Sequence, residues 1–273
     1  MAISIASYAF HGLLGRGQID LYGYLEACRY RYALDTADIW NGMLPNTDND
    51  SLAKAKEALA ERELTLVNLC VDDAHIWEDD AAMREKNHQN ALAYLNAAEM
   101  LGAQTIRIDA GGKGESFSSE QFDLIVQRYK EFAQRAYDHG YRCGPENHWG
   151  PEVIPENMKR ICEAVDHPGF GLLLHFRGNA GDALMAPWAM HTHISWDIVE
   201  NSLEVICLAG TICTTGQAVD GSGIGVRTLN RCCRIGVRTG RCAPADSAAV
   251  VIVTVIAESG IDRDAVSGNL AEH

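Results

Sequence analysis

Positive charge is scarce in this chain. Its 23 Lys and Arg residues face 37 Asp and Glu, a net charge of -14, which repels a phosphate backbone over most of the surface and leaves no electrostatic footprint for nucleic acid. Long apolar runs are missing too. The longest, Ala248 to Ala257, is roughly half of a bilayer span. Met1 to Phe10 carries no basic region followed by a long apolar stretch, so neither a signal peptide nor a membrane anchor is visible and a cytoplasmic protein is the expectation. The nine cysteines form no C-x-x-C pair and have no regular spacing, which argues against a disulfide framework or a zinc knot and for free thiols. There is no Walker loop, no G-x-G-x-x-G after a strand and no G-x-S-x-G elbow. Gly221-Ser222-Gly223-Ile224-Gly225 is glycine-rich but lacks the lysine and the helix of a phosphate loop.

A further absence is local. All twenty aromatic residues and every lysine lie before Asp197, whereas five of the nine cysteines fall after it. Composition thus divides the chain into residues 1–201 and an atypical segment, 202–273.

The first part has the composition of an ordinary soluble globule, with short apolar runs alternating with longer amphipathic stretches, the signature of parallel βα units. Strands are expected at Ile3–Ala9, Leu34–Ile39, Leu64–Cys70, Thr105–Asp109, Tyr141–Glu146, Gly171–His175 and Met190–Ser195. Between Ser119 and His139, Phe122, Ile125, Val126, Tyr129, Phe132, Ala133, Ala136 and Tyr137 share one helical face, behind a capping box at Ser118 and Gln121. Leu92, Leu95, Ala98 and Leu101 mark a second stripe, and Pro155 suits the first position of a helix ending near Val165. The crossover from Phe176 to Ala189 is short and opens on Arg177-Gly178-Asn179-Ala180-Gly181, poor in helix formers. A length of 273 residues suits one α/β barrel, and this order fits a (β/α)8 TIM-type barrel, incomplete or irregular at its C-terminal end, better than an open sheet.

In such a barrel, chemistry sits at the carboxyl ends of the strands. The fifth expected strand runs into Glu146-Asn147-His148-Trp149-Gly150; a carboxylate two residues from an imidazole suits a divalent cation, the alternative being an exposed glutamate beside a satisfied histidine. His191 and His193 fall on one face by strand period, as a ligand pair or a chance H-x-H. His175 follows an apolar run, either as a ligand or as a solvated strand end. Arg107 and Asp109, before the Gly111-Gly112 turn, either hold substrate hydroxyls or pair with each other. His75, Trp77 and Trp40 lie at the exits of the third and second strands, where aromatic rings either meet a ligand or pack under loops.

Together these residues resemble the xylose isomerase-like superfamily of barrels, in its sugar phosphate isomerase/epimerase branch. The resemblance covers about residues 1–200 and rests on Asp35-Thr36-Ala37-Asp38-Ile39-Trp40-Asn41, Glu146-Asn147-His148-Trp149-Gly150 and His191-Thr192-His193. It implies a divalent metal (manganese, magnesium, cobalt or zinc) held by Glu146, His175 and His193, although aspartate is more usual at the position of His175. It also implies a small sugar or keto-sugar substrate, and isomerisation or epimerisation by proton transfer through an enediolate, with Glu146 as one catalytic carboxylate; the strand-end residues Arg107, Asp109, His75, His148, Trp149, Trp40 and His191 are the candidate substrate contacts. It leaves a homo-oligomer open. An endonuclease of the same superfamily is disfavoured by charge and by the lack of ligands for a trinuclear cluster.

The glutamate that the resemblance places after an eighth strand has no counterpart beyond Ser195: Glu204 is misplaced and Glu258 follows an unrelated apolar run. This raises the expectation of an inactive, metal- or sugar-binding remnant. The codons open to Ile224-Gly225-Val226-Arg227-Thr228-Leu229-Asn230-Arg231 also permit Leu-Gly-Phe-Glu-His-Ser-Thr-Gly one nucleotide out of register. A shifted reading frame is therefore a cause that the coding nucleotides can refute.

Overall fold

The computed structural model describes residues 3–195, with the backbone of three short strands beyond them. Glu204, Glu258 and the cysteines after Asp197 lie outside the described residues. Seven parallel strands appear in the expected order: β1 (Ile3–Ile5), β2 (Thr36–Trp40), β3 (Thr65–Val71), β4 (Thr105–Ile108), β5 (Arg142–Gly144), β6 (Leu172–Phe176) and β7 (Ala189–Ser195). Outside them run α1 (His11–Leu14), α2 (Leu21–Glu26), α3 (Asn49–Glu61), α4 (Ala81–Leu101), α5 (Ser119–Asp138), α6 (Pro155–Val165) and α7 (Ala180–Met185). Two strands are shorter than their apolar runs. β1 stops because Ser7–Phe10 coils into a 3-10 turn, and β5 stops because Pro145 has no N–H for a ladder.

One parallel ladder joins β2, β3, β4 and β5 and another joins β6 and β7. Single bridges link β1 to β2 (Ala6 with Asp38) and β5 to β6 (Cys143 with Phe170, Glu146 with Leu173). Beyond Ser195 the described backbone comprises β8 (Gln217–Val219) and β9 (Val226–Thr228), which pair antiparallel, and β10 (Val253–Ile256). β10 lies parallel between β7 and β1, with Val253 opposite both Thr192 and Ile3. β10 therefore takes the eighth position of a TIM-type barrel, covering edges of β1 and β7 that would otherwise be unpaired.

The helices follow their local signals. Ser118 and Gln121 form the capping box of α5, which buries Ile125, Tyr129, Phe132, Ala133 and Ala136. Tyr137 departs from that face: it is exposed in the last turn, its ring edge-on to His167. Leu95, Ala98 and Leu101 of α4 are buried, and Pro155 opens α6. The weak helix formers after Phe176 still make α7, because Asn179 caps Gly181 and the buried Asp182 carboxylate accepts from the N–H groups of Arg177, Gly178 and Asn179. Side-chain capping offsets poor intrinsic propensity here. Cys28, Cys70, Cys143 and Cys162 are free and buried.

One glycine sets the spacing of the site. A Cβ on Gly144 would stand 1.7 Å from the Gly171 carbonyl oxygen, so only glycine lets β5 approach the start of β6 this closely.

Candidate metal centre

The ends of β5, β6 and β7 bring three polar side chains to one point. Glu146 Oε1 is 2.9 Å from His175 Nδ1 and 3.0 Å from His193 Nδ1. Ligand atoms of these three residues all lie within 4.8 Å of one another. Glu146 and His193 are buried, and His175 is partly open. One carboxylate oxygen and two imidazole nitrogens in a shared pocket are a donor set that suits a divalent first-row cation.

His193 has a second partner. Its Nε2 lies 3.1 Å from Asp38 Oδ2, and the same oxygen is 2.8 Å from His191 Nε2. Asp38 is seated in turn by Asn68, whose amide donates to Asp38 Oδ1 at 3.1 Å while its own oxygen accepts from Thr105 at 2.9 Å. Asp38, His191 and His193 form a second group of metal-ligand spacing. Its three members are all buried, whereas a cation bound by Glu146 and His193 keeps a partly open neighbour in His175. The geometry suits Asp38 better as the outer carboxylate that orients His193, an arrangement common behind metal-binding imidazoles.

Electrostatics bind the cluster together. Burial pushes the Glu146 carboxyl up, but the charges of His193 and His148 and the hydrogen bonds from His175 and His193 outweigh it and hold it well below the usual carboxylate range. Asp38 is likewise pushed up by burial and held down overall by the charge of His193 and by its bonds to both histidines. Burial lowers the His193 imidazole, yet Glu146, Cys70 and Asp38 raise it well above an ordinary histidine. In His191 burial prevails over Asp38, and the ring is shifted towards neutrality.

A second layer surrounds this centre. The Arg107 guanidinium Nη1 donates to Asp109 Oδ2 at 2.7 Å, Asp72 Oδ1 at 3.0 Å and the Val71 carbonyl at 3.1 Å, while its Nε faces Glu146 Oε2 at 3.5 Å. Of the two readings of Arg107 and Asp109, mutual pairing is the geometry observed. Asp109 also receives the Glu146 N–H at 3.1 Å and the Trp149 indole at 3.2 Å. His148 Nδ1 is 3.3 Å from Glu146 Oε2. His75 lies against Trp149 with ring centroids 4.7 Å apart. Trp40 is tied to Asp72 Oδ2 at 2.6 Å and meets the edge of Tyr8, and Asp72 in turn pairs with Arg107. His191 and His193 share a face as the strand period requires, but His191 is fully buried and lies behind His193.

Two residues escape a reading of strand ends. Asp38 lies within β2 before its end; its signal is a carboxylate between the buried Ala37 and Ile39. Glu152 is wholly buried, with Oε1 accepting the Ala110 N–H at 2.7 Å. Burial and the nearby Asp109 charge push its carboxyl well up from the ordinary glutamate value.

Comparison with known proteins agrees with this architecture. A family model described as a xylose isomerase-like TIM barrel matches residues 31–177. A search of curated proteins gives no match. Among solved structures, the probable 3-DHS dehydratase of Bacillus anthracis is 19% identical with a TM-score of 0.57, over 71% of this chain and 72% of that one. The 3-keto-D-glucoside 4-epimerase of E. coli is 16% identical with a TM-score of 0.58, over 71% and 79% of the two chains. A xylose isomerase-like barrel protein of Mycobacterium smegmatis in complex with magnesium is 17% identical with a TM-score of 0.52, over 63% and 65%. At these identities the likeness is one of fold.

Proposed function

The chain belongs to the xylose isomerase-like TIM barrels, and from that premise we propose that it is a divalent-metal-dependent isomerase or epimerase of a sugar or keto-sugar. The observation that carries the reading is the convergence of Glu146, His175 and His193, from three successive strand ends, within 4.8 Å. A magnesium complex and a keto-glucoside epimerase among proteins of this fold point the same way.

When bound, a divalent cation would act as a Lewis acid towards two adjacent substrate oxygens, offsetting the charge of an enediolate. The protein's own part is orientation and proton movement. Glu146 divides its oxygens: Oε1 faces the two imidazoles and Oε2 faces His148 Nδ1 at 3.3 Å and Arg107 Nε at 3.5 Å. Oε2 is thus the atom positioned to take a proton from the carbon next to a carbonyl, with His148 adjacent to orient it. Arg107 and Asp109 hold that carboxylate in place. The second carboxylate, which would return the proton, is the one that the resemblance expects after the eighth strand, among residues outside those described. The change of composition after Trp196 favours a second reading, a barrel that binds metal or sugar without turnover.

One experiment separates these readings. Manganese is titrated calorimetrically into the full chain, and a panel of keto-sugars is then incubated with it in heavy water and followed by NMR for deuterium entering beside the carbonyl. Deuterium incorporation supports the isomerase. Cation binding with no incorporation supports the non-catalytic barrel, and absence of cation binding removes the isomerase and the metal-binding form of the barrel.

A further inference from the structure

His148 and Trp149 are adjacent in sequence and point to different work. His148 faces Glu146, whereas Trp149, anchored through its indole to Asp109, forms one wall of a cavity of about 240 Å³. The other walls are His75 and Trp77, and the rim carries Glu78, Asp79 and Lys113. One face of Trp77 is already covered by the Arg84 guanidinium, 4.5 Å from the ring centroid. The cavity is smaller than pockets for drug-sized ligands, which run from about 300 Å³ upwards, and has the size for one ring; Trp149 ties it to the candidate centre through Asp109, which also receives the Glu146 N–H.

The polar groups of the rim select the kind of ring. Lys113 Nζ is engaged by Asp79 at 2.8 Å and His75 Nδ1 faces Glu78 at 3.3 Å. Two carboxylates against one ammonium make the rim hostile to a phosphate or carboxylate group but receptive to hydroxyl donors. Aromatic walls match the C–H faces of a pyranose. Resting on the isomerase reading, we infer that this cavity is a subsite for a second, neutral polyhydroxylated ring, so that the substrate is a keto-sugar in glycosidic linkage and neither a free monosaccharide nor a sugar phosphate.

The test is calorimetric titration of the full chain, in the presence of manganese, with cellobiose, glucose and glucose-6-phosphate. Cellobiose is expected to bind at least about tenfold more tightly than glucose, a difference of about 1.4 kcal/mol, and glucose-6-phosphate no more tightly than glucose. Glu78→Gln combined with Asp79→Asn, both away from the cation group, should reduce the disaccharide preference to less than about threefold. Equal affinity for cellobiose and glucose, preference for the phosphate, or no binding of any of the three overturns the subsite. The deuterium assay reports on the other reading independently: incorporation into a free keto-sugar without disaccharide preference refutes the subsite alone. Disaccharide preference without incorporation from any keto-sugar or keto-glycoside leaves the subsite standing and refutes the isomerase.

Discussion

His193 Nε2 lies 3.1 Å from Asp38 Oδ2, although the two residues belong to strands at opposite ends of the described sequence. With its Nδ1 facing Glu146, the ring is held at both nitrogens. Asp38→Asn should therefore weaken manganese binding by about 10- to 100-fold, the usual effect of losing an outer partner of a metal-binding histidine, while the circular dichroism spectrum stays native. Calorimetry reads the affinity, and an unchanged value would show that Asp38 has no part in orienting the site.

His175 contributes an imidazole where a carboxylate would favour harder cations. Replacing it, His175→Asp, is expected to raise the affinity for manganese or magnesium relative to zinc by about tenfold, because carboxylate oxygen suits the former and imidazole nitrogen the latter. Competition titrations measure the ratio. No change in it would mean that residue 175 is not a ligand.

Away from the site, Glu99 joins α4 to α5 through a two-pronged pair with Arg135, at 2.6 and 2.9 Å, and accepts from the Tyr141 hydroxyl at 3.2 Å. Burial pushes its carboxyl up, but the Arg135 hydrogen bonds and charge prevail and lower it. A depressed folded-state pKa stabilises above the unfolded value and is lost as pH falls through the folded one. Glu99→Gln should then cost about 1 kcal/mol at neutral pH, allowing for solvent screening at a partly exposed pair. The gap should narrow as pH falls below the unfolded glutamate value of about 4.3 and close only below the depressed folded-state pKa, where the carboxylate is protonated in either state. Urea unfolding of both proteins across that range tests it, and a gap that persists in acid would assign the effect to packing.

Gly144 is the least replaceable glycine near the site. Gly144→Ala puts a methyl 1.7 Å from the Gly171 carbonyl oxygen, so the β5 and β6 backbones must part. The expected cost is about 2 to 3 kcal/mol, with weaker cation binding because Glu146 and His175 separate. Gly12→Ala is the control: its added carbon meets nothing closer than 3.7 Å, and in α1 it should be neutral or stabilising by up to about 1 kcal/mol. Equal destabilisation of the two would contradict the close approach.

Much of this protein is local chemistry, and local chemistry is legible. Alternating apolar runs and amphipathic stretches located seven strands and the crossover helices, and the Ser118 cap and Pro155 marked helix starts to the residue. Glu146, His175 and His193 stood out because each lies near the end of an expected strand, where a barrel opens, and because the family resemblance points to those positions. The boundaries of β1 and β5 were less legible, since a 3-10 turn and a proline end pairing before hydrophobicity ends. The closure of the barrel by Val253–Ile256 is a matter of vacant edges on β1 and β7, to which no short window of sequence refers.

The amino-acid sequence alone determined the barrel class and the net charge of -14, and it offered as candidates three side chains whose ligand atoms lie within 4.8 Å of one another. Only the tertiary structure decided how these groups are shared: that Asp38 supports His193, that His191 stands behind it, that Arg107 pairs with Asp109, and that Trp149 turns from the centre to line a cavity. The reason is physical. A strand's period assigns a side chain to a face, but its partner is set by barrel curvature and strand stagger, which let a side chain of β2 meet one of β7 across 155 residues of chain.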